Sequence, residues 1–146
     1  INDGAAALVL AQASAAQIAG LRPRARVLGY AYAGVRPEVM GIGPIPAVQN
    51  LLQKTGLTVE DFDVIESNEA FAAQALAVNK ALELDEARVN PNGGAIALGH
   101  PVGATGAILV IKALHELKRT QSDRALITMC IGGGQGIALA IERIVA

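Results

Sequence analysis

Short apolar runs with the length of buried strands alternate with helical segments along most of this chain. Alternation of this kind predicts an α/β fold in which helices cover a sheet. Gly29 lies inside the longest run and favours a bulge there. The last two runs are joined by a glycine turn too short for a crossover, so their strands must be antiparallel. We therefore predict one five-stranded mixed sheet in the order β-α-β-α-β-α-α-β-β. Its strands are expected at residues 4–10, 24–35, 63–67, 125–130 and 136–145.

Glycine and proline mark where the helices between these strands begin and end. Gly20 closes a short alanine-rich helix, and Gly56 ends a helix that begins at Pro46. Residues 70–84 contain neither glycine nor proline and are apolar on nearly every side, which predicts a helix buried on most faces. The helix expected at residues 101–119 has an apolar stripe. Its polar residues lie on the opposite side: Lys112, Glu116 and Arg119.

The composition supports a single folded domain and argues against several classes of function. Apolar residues make up 52% of the 146 residues, which is enough for a hydrophobic core. The formal net charge is −1 and aromatic residues make up 3%, so binding to nucleic acid is not expected. No apolar run is long enough to span a membrane. A single cysteine cannot form an intramolecular disulfide, which indicates a reducing compartment and hence a cytoplasmic protein.

A glycine-rich loop at residues 90–106 holds His100, one of only two histidines in the chain. Because it precedes a predicted helix, the helix N-terminus should disfavour a positive charge on the imidazole. A neutral imidazole can act as a base or donate a hydrogen bond to a developing oxyanion. The alternative is a loop histidine that only caps backbone groups. The second histidine, His115, falls on the polar side of its helix and is expected at the surface.

Two further candidate active-site residues lie at predicted strand ends. Cys130 is followed by the glycines that begin at Gly132, which leave the thiol accessible and free backbone N–H groups for a ligand. A lone cysteine can equally be a small core residue. Asn68 lies between a strand and a helix, where it either caps the helix or holds a water or an oxyanion. Glu69 is either a first-turn carboxylate or a partner that orients one of these groups.

Several kinds of site are excluded by the residues present. Two histidines and one cysteine, far apart in sequence, do not form a zinc ligand set. Neither glycine cluster has the spacing of a dinucleotide-binding loop, and neither contains the lysine of a P-loop. No serine lies in a nucleophile elbow. No metal or bound cofactor is therefore expected.

Three segments together resemble the C-terminal signatures of the thiolases. They are residues 68–71 (NEAF), residues 99–106 (GHPVGATG) and residues 130–134 (CIGGG). Residues 2–7 and 40–44 also resemble thiolase segments, and the similarity spans the whole chain. Within the family, these motif sequences are most similar to those of bacterial acetyl-CoA acetyltransferases. The resemblance implies a layered thiolase fold in which residues 1–146 are the C-terminal one of two similar halves.

The resemblance also implies a reaction and a role for each matching residue. Thiolases catalyse a reversible Claisen condensation in which two acyl-CoA molecules give a 3-ketoacyl-CoA and free CoA, through an acyl-cysteine. His100 would activate the nucleophilic cysteine and donate to an oxyanion hole that Asn68 completes through a water. Cys130 would transfer the α-proton, and the Gly132 N–H would stabilise the tetrahedral intermediate. Gly99 leaves space for the pantetheine arm. The acyl pocket would be lined by Ala70, Phe71 and Met40.

The nucleophilic cysteine of the family lies in the N-terminal half, and this chain has only Cys130. The chain begins at Ile1 without a basic leader, so we expect that further sequence lies upstream. The expected partners are acyl-CoA, CoA and an N-terminal thiolase domain, within a homodimer or homotetramer. Ile108 departs from the arginine of many biosynthetic members, which leaves the acyl chain length open. Two alternatives are a non-catalytic module that binds acyl-CoA and a thioester hydrolase that uses Cys130 as nucleophile.

Overall fold

The computed structural model describes residues 1–145, which fold into a four-stranded mixed sheet between helices. The strands are β1 Ala25–Gly34, β2 Val64–Ser67, β3 Arg124–Ile131 and β4 Gln135–Arg143. Strands β3 and β4 form an antiparallel hairpin, β2 runs parallel to β3, and β1 pairs antiparallel with β4, giving the spatial order β1-β4-β3-β2. The register of β1 shifts between Val27 and Gly29, which confirms the predicted bulge.

Within residues 1–145, five α-helices and three short 3-10 helices accompany the strands. The α-helices are α1 Ala13–Ile18, α2 Pro44–Thr55, α3 Ala72–Ala81, α4 Ala95–Leu98 and α5 Thr105–Thr120. The 3-10 helices are Pro37–Ile42, Val59–Asp61 and Glu86–Arg88. Helix α2 ends at Gly56, whose φ of 71° is readily adopted by glycine. Within the described residues, no helix is both long enough and apolar enough to cross a membrane.

Two hydrophobic cores lie on opposite faces of the sheet. Helix α2 covers one face, where Leu51 packs with Ile65 and Leu126. Helix α5 covers the other face, where Leu109 packs with Val64 and Ile127. Adjacent strand residues therefore serve opposite cores, as the period of two in a strand requires. The result is a three-layer arrangement with one sheet in the middle.

The prediction of a fifth strand at residues 4–10 is wrong. This segment forms no strand, and Val9 and Leu10 are 88% and 84% exposed. Its apolar composition suits a strand, but a strand forms only against a partner. The free edge of β2 is instead occupied by a short loop, because Val89 makes an isolated parallel bridge to Ile65.

Two expectations about burial are also corrected. Helix α3 is not buried on most faces: Val78 is its only buried residue, and Leu76 is 61% exposed. The side of α5 opposite the apolar stripe is not simply solvated, because Glu116 is 4% exposed and Lys112 reaches a buried carboxylate. His115 is exposed, as predicted.

Candidate active site

The parallel pairing of β2 and β3 places two candidate residues at the same edge of the sheet. The backbone N–H of Asn68, just after β2, donates to the carbonyl of Thr128 at 3.0 Å. Cys130 follows Thr128 by two residues on the same strand. Carboxyl ends of neighbouring parallel strands are where α/β sheets bind ligands. The edge that carries Asn68 and Cys130 is therefore the candidate active site.

His100 reaches this edge from the loop before α5. Its Nδ1 lies 2.7 Å from Thr105 Oγ1, and its Nε2 lies 3.4 Å from Asn68 Nδ2. The Thr105 hydroxyl donates its only proton to the carbonyl of Pro101, so it must accept from Nδ1–H. In the neutral imidazole this places the proton on Nδ1. The Nε2 lone pair then faces the Asn68 amide at the edge of the site.

The helix after His100 begins later than predicted. Helix α5 starts at Thr105 and not at Pro101, and residues 101–104 form a turn in which Ala104 N donates to Pro101 O. Because α5 begins at Thr105, the Thr105 hydroxyl lies within hydrogen-bond distance of the His100 ring. Thr105 does not stand out in the sequence, because its contact with His100 depends on the course of the chain between the two residues. The sequence feature that could have indicated this contact is a threonine in the turn that follows Gly99-His100-Pro101.

Asn68 lies at the candidate site and does not cap the following helix. Helix α3 begins at Ala72, and the residue in its N-cap position is Phe71, which makes no capping hydrogen bond. Asn68 is 1% exposed, and its Oδ1 has no hydrogen-bond partner within residues 1–145. A buried amide oxygen without a partner is unusual in folded proteins. It leaves an acceptor free for a group bound beside His100.

Cys130 is 6% exposed near the end of β3, opposite Gly136 on β4. Burial raises the pKa of its thiol, with a smaller opposing effect from a backbone hydrogen bond. The thiol is therefore the resting form near neutral pH. A buried neutral thiol is a poor nucleophile, but it can donate a proton and is a strong base once ionised.

The raised pKa of Cys130 should appear in its alkylation rate. The reaction of this chain with iodoacetamide should keep accelerating above about pH 8.5, where a free cysteine thiol is half ionised. Because the chain has one cysteine, the measured rate belongs to Cys130 alone. N-acetylcysteine provides the reference curve. A rate that levels off near pH 7 would show instead that the site stabilises the thiolate.

The glycine turn after Cys130 brings other backbone close to the site. Gly132 is exposed, whereas Gly134 is buried and has a φ of 92°. A Cβ on Gly134 would lie 3.0 Å from the nitrogen of Pro37, at the start of the 3-10 helix that holds Met40. This 3-10 helix packs against both β3 and α3. Met40 therefore belongs to the same region as Cys130.

The remaining predicted residues flank Asn68 and His100 in the sequence. Ala70 is half-buried and Phe71 is 65% exposed, and they follow Asn68 by two and three residues. Gly99 has a φ of 99°, and a Cβ there would lie 2.5 Å from Asn2 Oδ1. Residues 1–4 thus lie against the His100 loop. Within the described residues, no group of acidic, histidine or cysteine side chains could hold a metal ion.

A second set of contacts, which the sequence did not reveal, supports the loop that leads to His100. Asn90 Nδ2 donates to the Ser67 carbonyl at 2.8 Å, and Asn90 Oδ1 accepts from the Ser67 N–H at 3.0 Å. Glu69 accepts from Asn90 Nδ2 at 3.2 Å and from the Ile96 N–H at 3.1 Å. These hydrogen bonds hold the loop and do not go to Asn68, His100 or Cys130, so neither of the two roles expected for Glu69 is shown.

Comparison with known proteins identifies the family to which this fold and site belong. A family profile described as "Thiolase, C-terminal domain" matches residues 21–143. The chain belongs to the thiolase family. The resemblance drawn from three short motifs is thereby confirmed, and the motifs that contain Asn68, His100 and Cys130 all fall within the matched thiolase domain.

Curated thiolases match nearly all of this chain. Beta-ketothiolase BktB of Cupriavidus necator is 61% identical over 144 residues, which are 99% of this chain and 36% of that protein. The beta-ketoadipyl-CoA thiolase of Pseudomonas knackmussii is 62% identical over 146 residues, with the same coverage. This chain thus spans only about a third of the length of the thiolases it matches.

Solved thiolases have the same fold. Human mitochondrial 3-ketoacyl-CoA thiolase in complex with CoA superposes with a TM-score of 0.90 at 47% identity, covering 92% of this chain and 34% of that one. The acetyl-CoA acetyltransferase of Bacillus anthracis gives a TM-score of 0.88 at 49% identity, covering 90% of this chain and 34% of that one.

Proposed function

We propose that residues 1–146 are the C-terminal domain of an acetyl-CoA C-acetyltransferase. The reaction joins two acyl-CoA molecules into a 3-ketoacyl-CoA with release of CoA, and it is reversible. The single observation that carries the proposal is the contact of His100 Nε2 with Asn68, at the sheet edge that also holds the Cys130 thiol. An acceptor nitrogen, a free amide oxygen and a thiol suit proton transfer beside a stabilised enolate.

The first half-reaction needs a cysteine outside this chain. That thiol loses its proton to His100 Nε2, attacks the thioester carbonyl of acyl-CoA and forms an acyl-cysteine. The CoA thiolate leaves and takes the proton back from His100. Gly132 supplies an N–H to the oxyanion of the tetrahedral intermediate. The Thr105 hydroxyl holds the His100 ring so that Nε2 faces the reacting thiol.

The second half-reaction uses Cys130. The Cys130 thiol gives its proton to His100 Nε2, and the resulting thiolate removes the α-proton of a second acyl-CoA and becomes a thiol again. His100, now protonated at Nε2, and a water on Asn68 donate hydrogen bonds to the enolate oxygen. The enolate carbon attacks the acyl-cysteine carbonyl, and the expelled cysteine thiolate takes the proton from His100. Each oxyanion donor of this kind contributes roughly 3–4 kcal/mol to transition-state stabilisation.

The acyl-CoA itself is proposed to lie between the His100 loop and the start of α3. Ala70, Phe71 and Met40 line its acyl and pantetheine portions, whereas the space beside Gly99 is occupied by Asn2. Human mitochondrial 3-ketoacyl-CoA thiolase has a structure in complex with CoA, which supports a CoA thioester as ligand. The CoA thioesters are substrates, and no separate cofactor is required by these steps.

The other proposed partner is an N-terminal thiolase domain. Helix α3 supports this assignment, since Phe71 and Leu76 are apolar yet 65% and 61% exposed. Exposed apolar surface of this kind marks an interaction site. We infer that the complete protein forms a homodimer or homotetramer. A cytoplasmic location remains the expectation from the single cysteine.

A comparison of this chain with the longer protein tests the proposal. The protein that carries the upstream thiolase domain should cleave acetoacetyl-CoA in the presence of CoA, and residues 1–146 alone should not. The loss is expected because Cys130 is the only cysteine here. Turnover by residues 1–146 alone would overturn the proposal. No turnover by the longer protein would instead favour a non-catalytic module that binds acyl-CoA.

A trapping experiment distinguishes the proposed condensation from the alternative of thioester hydrolysis by Cys130. Incubation of residues 1–146 with radiolabelled acetyl-CoA should leave no label on Cys130, since burial raises the pKa of that thiol. In the longer protein the label should appear on an upstream cysteine. A stable acetyl thioester on Cys130 would support thioester hydrolysis by Cys130 in place of condensation.

A further inference from the structure

A buried ion pair lies directly behind the candidate active site. Lys112 Nζ on α5 is 2.6 Å from Glu66 Oε2 on β2, and the side chains are 15% and 0% exposed. Burial raises the pKa of Glu66, and the Lys112 ammonium opposes that rise. Neither residue has a part in the proposed proton transfers. A buried ion pair of this kind costs desolvation energy, so a contribution to stability does not by itself explain its presence.

Lys112 also binds the loop that leads to His100. Its Nζ lies 2.6 Å from the carbonyl oxygen of Gly93, so one ammonium group joins the end of β2 to the glycine-rich loop. The same loop is joined to that strand end by Asn90 at Ser67 and by Glu69 at the Ile96 N–H. Lys112 also ties the loop to α5, the helix whose first residue orients His100, and Asn92 adds a second contact by donating to Glu116 Oε2 at 2.7 Å.

The packing around this loop leaves little freedom for an alternative position. A Cβ on Gly94 would lie 2.6 Å from Glu69 Oε1, so the loop backbone lies directly on that carboxylate. Glu66 on β2 and Asn68 just after it are two residues apart and therefore project from the same face of the sheet. The Lys112 connection and the His100–Asn68 contact thus lie side by side along one strand end.

We propose that Lys112 is a positioning residue for His100. It fixes the loop through Gly93, and the Glu66 carboxylate holds the ammonium in place for that purpose. The inference rests on the proposed function only for its kinetic consequence. A displacement of about 1 Å at a reacting group can cost about 100-fold in rate, so a loosened loop should affect kcat far more than substrate binding.

Four variants of the longer protein test this role. In Lys112→Met, the Gly93 contact is lost and Glu66 is left buried without its counter-charge, so both Tm and kcat should fall. In the double variant E66Q/K112M the buried charges are gone, so Tm should recover. Its kcat should stay about 100-fold below wild type with KM nearly unchanged. Glu66→Gln alone keeps the Gly93 contact and should retain most of kcat. Lys118→Met, at an exposed lysine on the same helix, should match wild type.

The pH dependence of stability gives a second signature. In Lys112→Met, burial and the carboxylates of Glu116 and Glu69 still raise the pKa of Glu66, and the opposing ammonium is gone. A carboxyl group whose pKa is raised on folding makes folding less favourable as pH increases above its unfolded value of about 4.3. The Tm of Lys112→Met relative to wild type should therefore fall between about pH 4 and pH 7. The double variant should show little of this trend.

A measurement without turnover separates this inference from the proposed enzymatic function. Hydrogen exchange of residues 1–146 should show faster exchange at residues 93–99 in E66Q/K112M, with β3 and β4 unchanged. That result would support the positioning role even if the longer protein were inactive in thiolysis. Unchanged exchange at residues 93–99 would overturn it. Recovery of kcat together with Tm in the double variant would also overturn it, because the pair would then act on stability alone.

Discussion

Replacing His100 with asparagine in the longer protein should lower kcat/KM for thiolysis by about 10³-fold, within the range expected for a general acid–base residue. Asparagine has no nitrogen that accepts a proton at neutral pH, so the Nε2 acceptor is lost. The fold should survive, because the ring is only half-buried and its contacts are with Thr105 and Asn68. Steady-state kinetics and Tm of the purified variant provide the measurement.

The chain supplies a matched control in its second histidine. His115→Asn makes the same chemical change on the exposed side of α5 and should leave kcat/KM unchanged. Retention of more than a tenth of wild-type activity by His100→Asn would contradict the assignment. An equal loss in both variants would point to a general effect on folding, which the Tm values would reveal.

Replacing Gly136 with alanine should destabilise this chain by about 3 kcal/mol, the upper part of the range for overpacking. Gly136 and Gly43 pack backbone against backbone where β4 meets the start of α2. A Cβ on Gly136 would overlap the Gly43 carbonyl and lie 2.6 Å from the nitrogen of Pro44. Neither backbone can move without displacing its strand or helix. Urea denaturation followed by circular dichroism measures the change.

Gly103→Ala is the matched control for this substitution. No atom lies within 4 Å of a Cβ at Gly103, and the residue does not have a positive φ. Its free energy of unfolding should stay within about 0.5 kcal/mol of wild type, as for most surface substitutions. If Gly136→Ala unfolds at the same urea concentration as Gly103→Ala, the close contact between Gly43 and Gly136 is incorrect.

The four strands of the sheet were predictable because each combines apolar periodicity with a partner inside the chain. Residues 4–10 have the same composition and form no strand, since pairing is a property of two segments and cannot be seen in one. The predicted burial of helix α3 was wrong for a related reason. Its all-round apolar surface predicted burial, but Leu76 has no neighbour in residues 1–145 that covers it.

The candidate site was predictable to the extent that short motifs mark it. His100, Asn68 and Cys130 each stand out by residue type and by neighbouring glycines or strand ends. Thr105 and Lys112 did not stand out, because their roles depend on distances across the fold. Helical periodicity assigned Lys112 to the polar side of α5, and only the path of the loop through Gly93 shows that this side is covered.

The strand order means that some site residues are placed by contacts between segments close in sequence and others by contacts between segments far apart in sequence. Cys130 pairs with Gly136 inside a hairpin, so its surroundings need a chain closure of only a few residues. Asn68 reaches the same edge through the pairing of Ser67 with Thr128, which closes a much longer loop. Loop-closure entropy makes such distant contacts slower to form. During folding, the thiol should therefore be in place first, and the amide and imidazole should join it last.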